Sequence, residues 1–331
     1  MSTIYDVARL AAVSPATVSR VLNDRVDVNP EMARRVRASV EMLGYRPNIV
    51  ARNLRRKVTS VWALIISDIE NPHFTALARG VEDVARSNGH SVVLCNSDEK
   101  LEKERDYIDV ALAERMAGVV ISPSSDRHSS IGLLLDNGIP VVTIDRRLRS
   151  SPVDSVVVAN KLGAQEATRH LIEGGYSRVA CITGPTRTTT AAQRLAGYRA
   201  ALAEAGATVD PTLIRIADYK EAGGAAATRD VMALSDPPDA LFVANSLMTV
   251  GALGWLAQTG VSIPDLVGIV GFDDLPWARL VSPSLSTVAQ PTYDIGQTAA
   301  RLLVERMSAP DASVRSVTLP TQLVVRGSSR R

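Results

Sequence analysis

From residue 60 onward the chain repeats one rhythm twice: short apolar runs separated by longer amphipathic stretches. The first set is VWALIIS at 61–67, SVVLCN at 91–96, GVVIS at 118–122 and PVVTID at 140–145. The second is SVVVAN at 155–160, RVACITG at 178–184, TLIRIA at 212–217, ALFVAN at 240–245 and VGIVGFDD at 267–274. This alternation predicts parallel strands with helices between them. Two α/β lobes follow, each a doubly wound parallel sheet, and ligands of such sheets sit beyond the carboxyl ends of the strands. Asp145, Asn245 and Asp273 each come just after a strand and are candidates on that ground. Asp273 could instead cap a helix over 274–279, and Arg194 could be a surface residue of its helix.

The 331 residues suffice for two or three compact units. With 46% hydrophobic and 22% charged residues the chain has the composition of a globular protein that needs no metal or disulfide for its core, and 4% aromatics make that core aliphatic. No apolar run approaches the roughly 20 residues of a membrane span, and Met1 to Arg9 lack a secretory signal, so a cytoplasmic location is expected. Cys95 and Cys181 lie in apolar runs and are expected to be buried, inert thiols.

The net charge of +2 conceals a division. Residues 1–60 carry eleven Lys and Arg against five acids, a net +6, which leaves 26 basic and 30 acidic residues, −4, in the remainder. A basic head on a mildly acidic body suits a polyanionic partner, although a basic face alone does not prove one.

That head reads as three short helices. Thr3 precedes Asp6 by three residues, the spacing of a capping box, and Val7, Leu10 and Ala11 form an apolar stripe. Ser14-Pro15 supplies a cap and a first-turn proline for a second helix. There Val18, Val21 and Leu22 face inward and Pro15, Ala16, Ser19 and Arg20 outward. Asn29-Pro30 opens a third helix with Val36, Val40 and Leu43 as its stripe, and Gly44 ends it. The trio is a helix-turn-helix.

The sequences Ile4-Tyr5-Asp6-Val7-Ala8, Val13-Ser14-Pro15-Ala16-Thr17-Val18-Ser19-Arg20-Val21-Leu22-Asn23 and Gly44-Tyr45-Arg46-Pro47-Asn48 resemble the lactose-repressor (LacI/GalR) family, and the resemblance spans essentially the whole chain. It implies a transcriptional regulator, a repressor, whose second helix enters the major groove. Pro15, Ala16 and Arg20 would read bases, while Thr3, Ser14, Thr17, Ser19 and Asn23 would position phosphates. An arginine can fork onto a guanine edge, whereas Ala16 could only touch a thymine methyl. The stretch NIVARNLRRK at 48–57 resembles the family's hinge helix, with Asn48, Arg52 and Leu54 at DNA-contacting positions and Leu54 matching the leucine wedged into the minor groove. Read without the family, 48–57 could be a basic linker and Leu54 a core residue.

The resemblance also assigns an effector pocket. Asp145, Arg194, Asn245, Asp273 and Gln290 match effector-contacting positions, Phe74, Thr190 and Tyr219 match the lining, and Arg146 matches a further pocket position. Carboxylates, amides, an arginine fork and an aromatic face suit a polyol, so the expected effector is a sugar or sugar derivative. The stretch 282–288 leading to Gln290-Pro291 reads as a crossing between lobes, as do Ala159-Asn160 and a point near Pro320. Three crossings would make a hinge with two closure states.

The expected organisation is a helix-turn-helix domain over 1–46, a hinge helix and linker over 47–59, and an effector-binding and dimerisation domain over 60–331. In the last, lobe 1 covers about 60–159 and 290–319, and lobe 2 about 160–289 and 320–328. No phosphate loop, GxSxG or HExxH occurs, and His73, His90, His128 and His170 have no metal-ligand spacing and read as surface or cap residues. No enzyme activity, cofactor or metal is expected. A transport protein of the same two-lobed fold would lack the basic head. Because one small helix-turn-helix buries too little DNA to be specific, a homodimer on a near-palindromic operator is expected, with a tetramer as the larger alternative.

Overall fold

A computed structural model describes residues 2–22, 28–45, 59–149 and 151–331. The chain divides into two compact units, Met1–Thr59 and Ser60–Arg331.

In the first unit, helix α1 spans Ile4–Leu10, α2 Pro15–Leu22 and α3 Pro30–Leu43. Each begins where a side chain satisfies a free amide. The Thr3 hydroxyl accepts from the Asp6 N–H while the Asp6 carboxylate accepts from the Thr3 hydroxyl at 2.7 Å and from the Thr3 N–H at 2.9 Å, and these two bonds, the hydroxyl's first, lower the Asp6 pKa. Ser14 Oγ accepts from the Thr17 N–H at 3.1 Å, and Asn29 Oδ1 from the Glu31 N–H at 2.8 Å. Gly44 closes α3 at φ +54°, a left-handed turn that glycine adopts without steric cost.

Val7, Ala8, Ala11, Val18, Val21 and Val36 form the core of this unit, with Leu22, Val40 and Leu43 half-buried against it. Leu10, expected in the stripe of α1, is 48% exposed, and Ala8 takes the inward place. At about 100° per residue, Val7, Ala11 and Ala8 fall within roughly 100° of one another, and Leu10 lies roughly 160° from Ala8, at the edge of the buried face.

The second unit holds two six-stranded sheets. Strands β1 (Val61–Ile66), β2 (Ser91–Asn96), β3 (Gly118–Ile121), β4 (Val141–Ile144), β5 (Asp154–Val158) and β11 (Ser316–Leu319) form the first, in the order β11-β5-β4-β3-β1-β2 and parallel throughout. Strands β6 (Val179–Thr183), β7 (Ile214–Ile216), β8 (Ala240–Val243), β9 (Gly268–Phe272), β10 (Ser286–Ala289) and β12 (Gln322–Val324) form the second, in the order β12-β10-β9-β8-β6-β7. Here β12 runs antiparallel to β10, so this sheet is mixed at one edge.

Alternate side chains of each sheet enter separate cores. Trp62, Leu64 and Ile66 pack beneath α4 (His73–Ser87) and α11 (Thr292–Ser308), whereas Ala63 and Ile65 face α5 (Leu101–Ala113) and α6 (Gly132–Asp136). The second sheet repeats the scheme. Cys181 and Phe242 lie against α7 (Asn160–Glu173) and α8 (Thr189–Glu204), while Ile182 and Val243 lie against α9 (Glu221–Met232) and α10 (Ser246–Gln258). Close helix contact in the first lobe needs a reciprocal glycine pair: a Cβ on Gly80 would stand 2.3 Å from the Tyr293 carbonyl oxygen, and one on Gly296 2.1 Å from that of Leu77. Both cysteines are buried free thiols whose pKa is raised by desolvation.

Two readings of the sequence change. Residues 286–289, taken as part of a crossing, are a strand paired in parallel with β9, so the chain leaves this sheet only after Ala289. The first two residues of TLIRIA belong to a 3-10 turn, Pro211–Leu213, and β7 is only three residues long, Ile214–Ile216.

Candidate functional site

On α2 the buried Val18 and Val21 fix the helix against its unit and turn the opposite face outward. Ala16 and Arg20 are exposed there, and Pro15, Thr17 and Ser19 are half-buried. Thr3 and Ser14 are exposed at the starts of α1 and α2, with the Ser14 and Thr17 hydroxyls 2.9 Å apart. Asn23, Asn48, Arg52 and Leu54 lie outside the described residues.

In the second unit a cavity with about 400 Å³ of non-atom space, partly open to solvent, lies at the carboxyl ends of the strands. All nine side chains singled out from the sequence for the effector, Phe74, Asp145, Arg146, Thr190, Arg194, Tyr219, Asn245, Asp273 and Gln290, stand in its wall. Asp145 and Arg146 follow β4, Tyr219 follows β7, Asn245 β8, Asp273 β9 and Gln290 β10, while Phe74 and Thr190 occupy the first turns of α4 and α8.

Five further residues complete the wall: Ser67, Asp68, Asn71, His73 and Glu99. Their signal was the one that selected Asp145, since Ser67 and Asp68 come directly after β1 and Glu99 soon after β2. His73 is a correction, because it is not a surface residue but 4% exposed inside the cavity. It starts α4 directly after the β1 loop, and its ring lines the cavity beside Asp273.

Arg146 is buried and forks onto Glu99, Nη1 to Oε2 at 2.8 Å and Nη2 to Oε1 at 2.6 Å. Nη1 also donates to the Pro123 carbonyl at 3.0 Å, and Nε lies 3.4 Å from Asp145 Oδ2. Burial alone would lower the Arg146 pKa, but the charge and hydrogen bonds of Glu99 together with the charge of Asp145 outweigh it and the net shift is upward. Arg194 donates from Nε to Asn160 Oδ1 and from Nη1 to the Ala244 carbonyl, each at 2.7 Å, and stacks 3.6 Å over the Phe272 ring. Asn245 caps α10 by accepting from the Met248 N–H at 3.1 Å. Asp273 accepts from the Ser246 N–H at 3.3 Å and from Gln290 Nε2; it caps no helix at 274–279, where only a 3-10 turn, Pro276–Arg279, is found.

Four wall residues, Glu99, Asp145, Tyr219 and Asp273, have φ between +57° and +79°, among seven non-glycine residues of positive φ in the described chain. Each such backbone costs on the order of 1–3 kcal/mol and persists where the surroundings hold it. Strain of this kind, gathered around one cavity, marks a site in which side-chain direction matters more than local comfort.

The lobes are fastened to each other across the cleft. Lys220, after β7, reaches Asp68 at 2.8 Å and Asp98 at 3.1 Å. Ser246 Oγ donates to Asn71 Oδ1 at 3.1 Å, and the Arg147 N–H to Thr189 Oγ1 at 3.2 Å. Among the described residues no helix is long and apolar enough to cross a membrane.

A helix-turn-helix joined to a two-lobed cleft domain defines a ligand-responsive DNA-binding regulator. Residues 3–48 match the family described as bacterial regulatory proteins, lacI family, and residues 168–329 match a periplasmic binding protein-like domain. The chain is 37% identical over 330 residues to the ribose operon repressor of Halalkalibacterium halodurans, covering 100% of this chain and 98% of that one. Among solved structures it is similar to the transcriptional regulator CelR–cellobiose complex, at 32% identity and TM-score 0.76 over 99% of this chain and 100% of that one. It is also similar to the lac repressor dimer bound to operator and the anti-inducer ONPF, at 26% identity and TM-score 0.88 over 100% of this chain and 99% of that one. The chain belongs to the lacI family of bacterial regulatory proteins, and it is a transcriptional regulator rather than an enzyme.

Proposed function

We propose that this regulator is a cytoplasmic, nucleoid-associated repressor that grips a near-palindromic operator, and that a small sugar-like effector in the cleft sets the strength of the grip. One observation carries the reading: a chain with an outward-facing helix-turn-helix also holds a cavity walled by carboxylates, amides, two arginines and aromatic rings at the carboxyl ends of its strands. The relatives point the same way, one being named for a ribose operon and another being complexed with cellobiose.

In this reading Pro15, Ala16 and Arg20 touch base edges, with Thr3, Ser14, Thr17, Ser19, Asn23, Asn48, Arg52 and Leu54 on the backbone and minor groove. Residues 1–46 read DNA, 47–59 form hinge and linker, and 60–331 bind effector and partner. The protein acts as a homodimer. Edge strand β2 leaves Val93 and Leu94 exposed, and α5 leaves Leu101 and Val110 exposed, apolar surface suited to a second copy. The effector shifts operator affinity by the difference in its affinity for two closure states and by no more.

The test is selection of binding sites from random duplex DNA by the full chain, with and without a panel of sugars. Enrichment of a near-palindromic site whose affinity changes with one sugar is the expected result. Binding with no sequence preference at low ionic strength, with every sugar present or absent, would overturn it.

A further inference from the structure

The charges in the cavity wall narrow what it accepts. The wall holds four carboxylates, Asp68, Glu99, Asp145 and Asp273, against the two guanidinium groups of Arg146 and Arg194. Arg146 is already committed to Glu99 through both terminal nitrogens. Arg194 is committed through Nε and Nη1, leaving the Nη2 edge. Arg146 Nε has no hydrogen-bond partner but already faces Asp145 Oδ2 at 3.4 Å, so a phosphate or carboxylate placed here would meet a net negative wall, and desolvating it would be costly.

His73 supplies the second half of the argument. Neither ring nitrogen has a hydrogen-bond partner although the side chain is buried, and Nδ1 stands 3.8 Å from Asp273 Oδ1, too far for a hydrogen bond. An imidazole left this way carries the desolvation cost of two polar atoms. A hydroxyl group, donor and acceptor at once, satisfies a ring nitrogen and the Asp273 oxygen together.

The geometry points to an uncharged polyol as the ligand, with His73 and Asp273 sharing one of its hydroxyl groups and Glu99 excluding phosphorylated analogues by occupying Arg146. This rests on the proposed sugar-binding role of the cleft. His73 becomes a specificity-determining residue, and the Arg146–Glu99 pair a charge filter rather than a ligand clamp.

The experiment titrates the full chain, by calorimetry, with D-ribose, D-glucose and cellobiose, with ribose 5-phosphate and glucose 6-phosphate, and with glucosamine. Binding should be confined to an uncharged sugar, its phosphate ester at least about tenfold weaker. His73→Phe should lose about tenfold of that affinity and His73→Gln, which keeps a donor and an acceptor, should keep most of it. Glu99→Gln should raise the affinity of the phosphate ester by releasing the fork of Arg146; melting curves of each variant establish folding. Preference of the wild-type chain for a phosphate or an amino sugar would overturn this inference and leave the sugar-binding role standing, as would unchanged affinity in a folded His73→Phe. A chain that binds none of these compounds would take down both.

Discussion

In the amino-terminal unit, the side chains proposed to meet DNA stand outside the core: Arg20 and Ala16 are exposed on the helix that buries Val18 and Val21. In the 60–331 unit the side chains proposed to meet the effector are themselves buried, His73, Arg146, Arg194 and Asp273 among them, and the last three are tied to backbone and side-chain partners. A duplex is too large to be enclosed and must be met by a face, whereas a small polar ligand gains specificity only where water is excluded. The difference teaches where function and stability are coupled. A reading residue can be removed with little effect on folding, and a cleft residue cannot be removed without leaving its partners unsatisfied.

The sharpest way to break this contrast is Asp273→Ala. It removes the acceptor for the Ser246 N–H and Gln290 Nε2 as well as the oxygen facing His73. The loss of those internal bonds falls on stability, whereas the lost bond from a ligand hydroxyl to the carboxylate costs up to about 3 kcal/mol of binding, so effector affinity should fall by up to about a hundredfold while operator affinity without effector stays near wild type. Calorimetry and operator titration on one preparation check both halves. A variant that still responds normally to effector would remove Asp273 from the site.

Arg20→Ala should weaken operator binding by about 1–3 kcal/mol and relax preference at one base pair, with the melting of both units unchanged. Equal loss on operator and random DNA, measured by fluorescence anisotropy, would show a phosphate contact instead of a base reader. Asn29→Ala separates stability from reading inside the same unit. It deletes the cap that accepts from the Glu31 N–H and should cost the amino-terminal unit about 1 kcal/mol, seen in its denaturant midpoint, while leaving the 60–331 unit untouched.

The same contrast explains what could be read from the sequence. The helical unit is written locally: Thr3 with Asp6, Ser14 with Pro15, Asn29 with Pro30 and Gly44 are each a complete instruction within a few residues. The central strands were equally legible because both faces are buried and the runs are continuously apolar. Strands β10, β11 and β12 were not, since STVA, SVTL and QLV are short and partly polar, and two of them lie at sheet edges where one side needs no apolar partner. The cleft is assembled from residues as far apart as Asp68 and Gln290, so its membership came from a resemblance and from the strand-end rule. His73 escaped because nothing local distinguishes a histidine at a helix start facing solvent from one facing a cavity.

The smallest expected effect tests the fastening between lobes. Lys220 bridges to Asp68 and Asp98 and is about one-third exposed, so solvent screens the pair and Lys220→Met should change effector affinity by about 0.5–1 kcal/mol, two- to fivefold. The wild-type affinity should respond to added salt and the variant's should respond less, because the lost interaction is the screened one. The hydrogen bond from Lys100, then that from Lys220, holds the Asp98 carboxyl at about 2, below the usual 3.8. Its contribution is therefore present above pH 3.8 and lost as pH falls toward 2. Burial would lower the Lys220 pKa, but Asp68 and Asp98 raise it above 10.5, so its contribution is whole below that pH and fades only above it. Between those limits the fastening should be indifferent to pH and sensitive to salt; effector affinity in the wild type that ignores ionic strength would show that Lys220 only decorates the cleft.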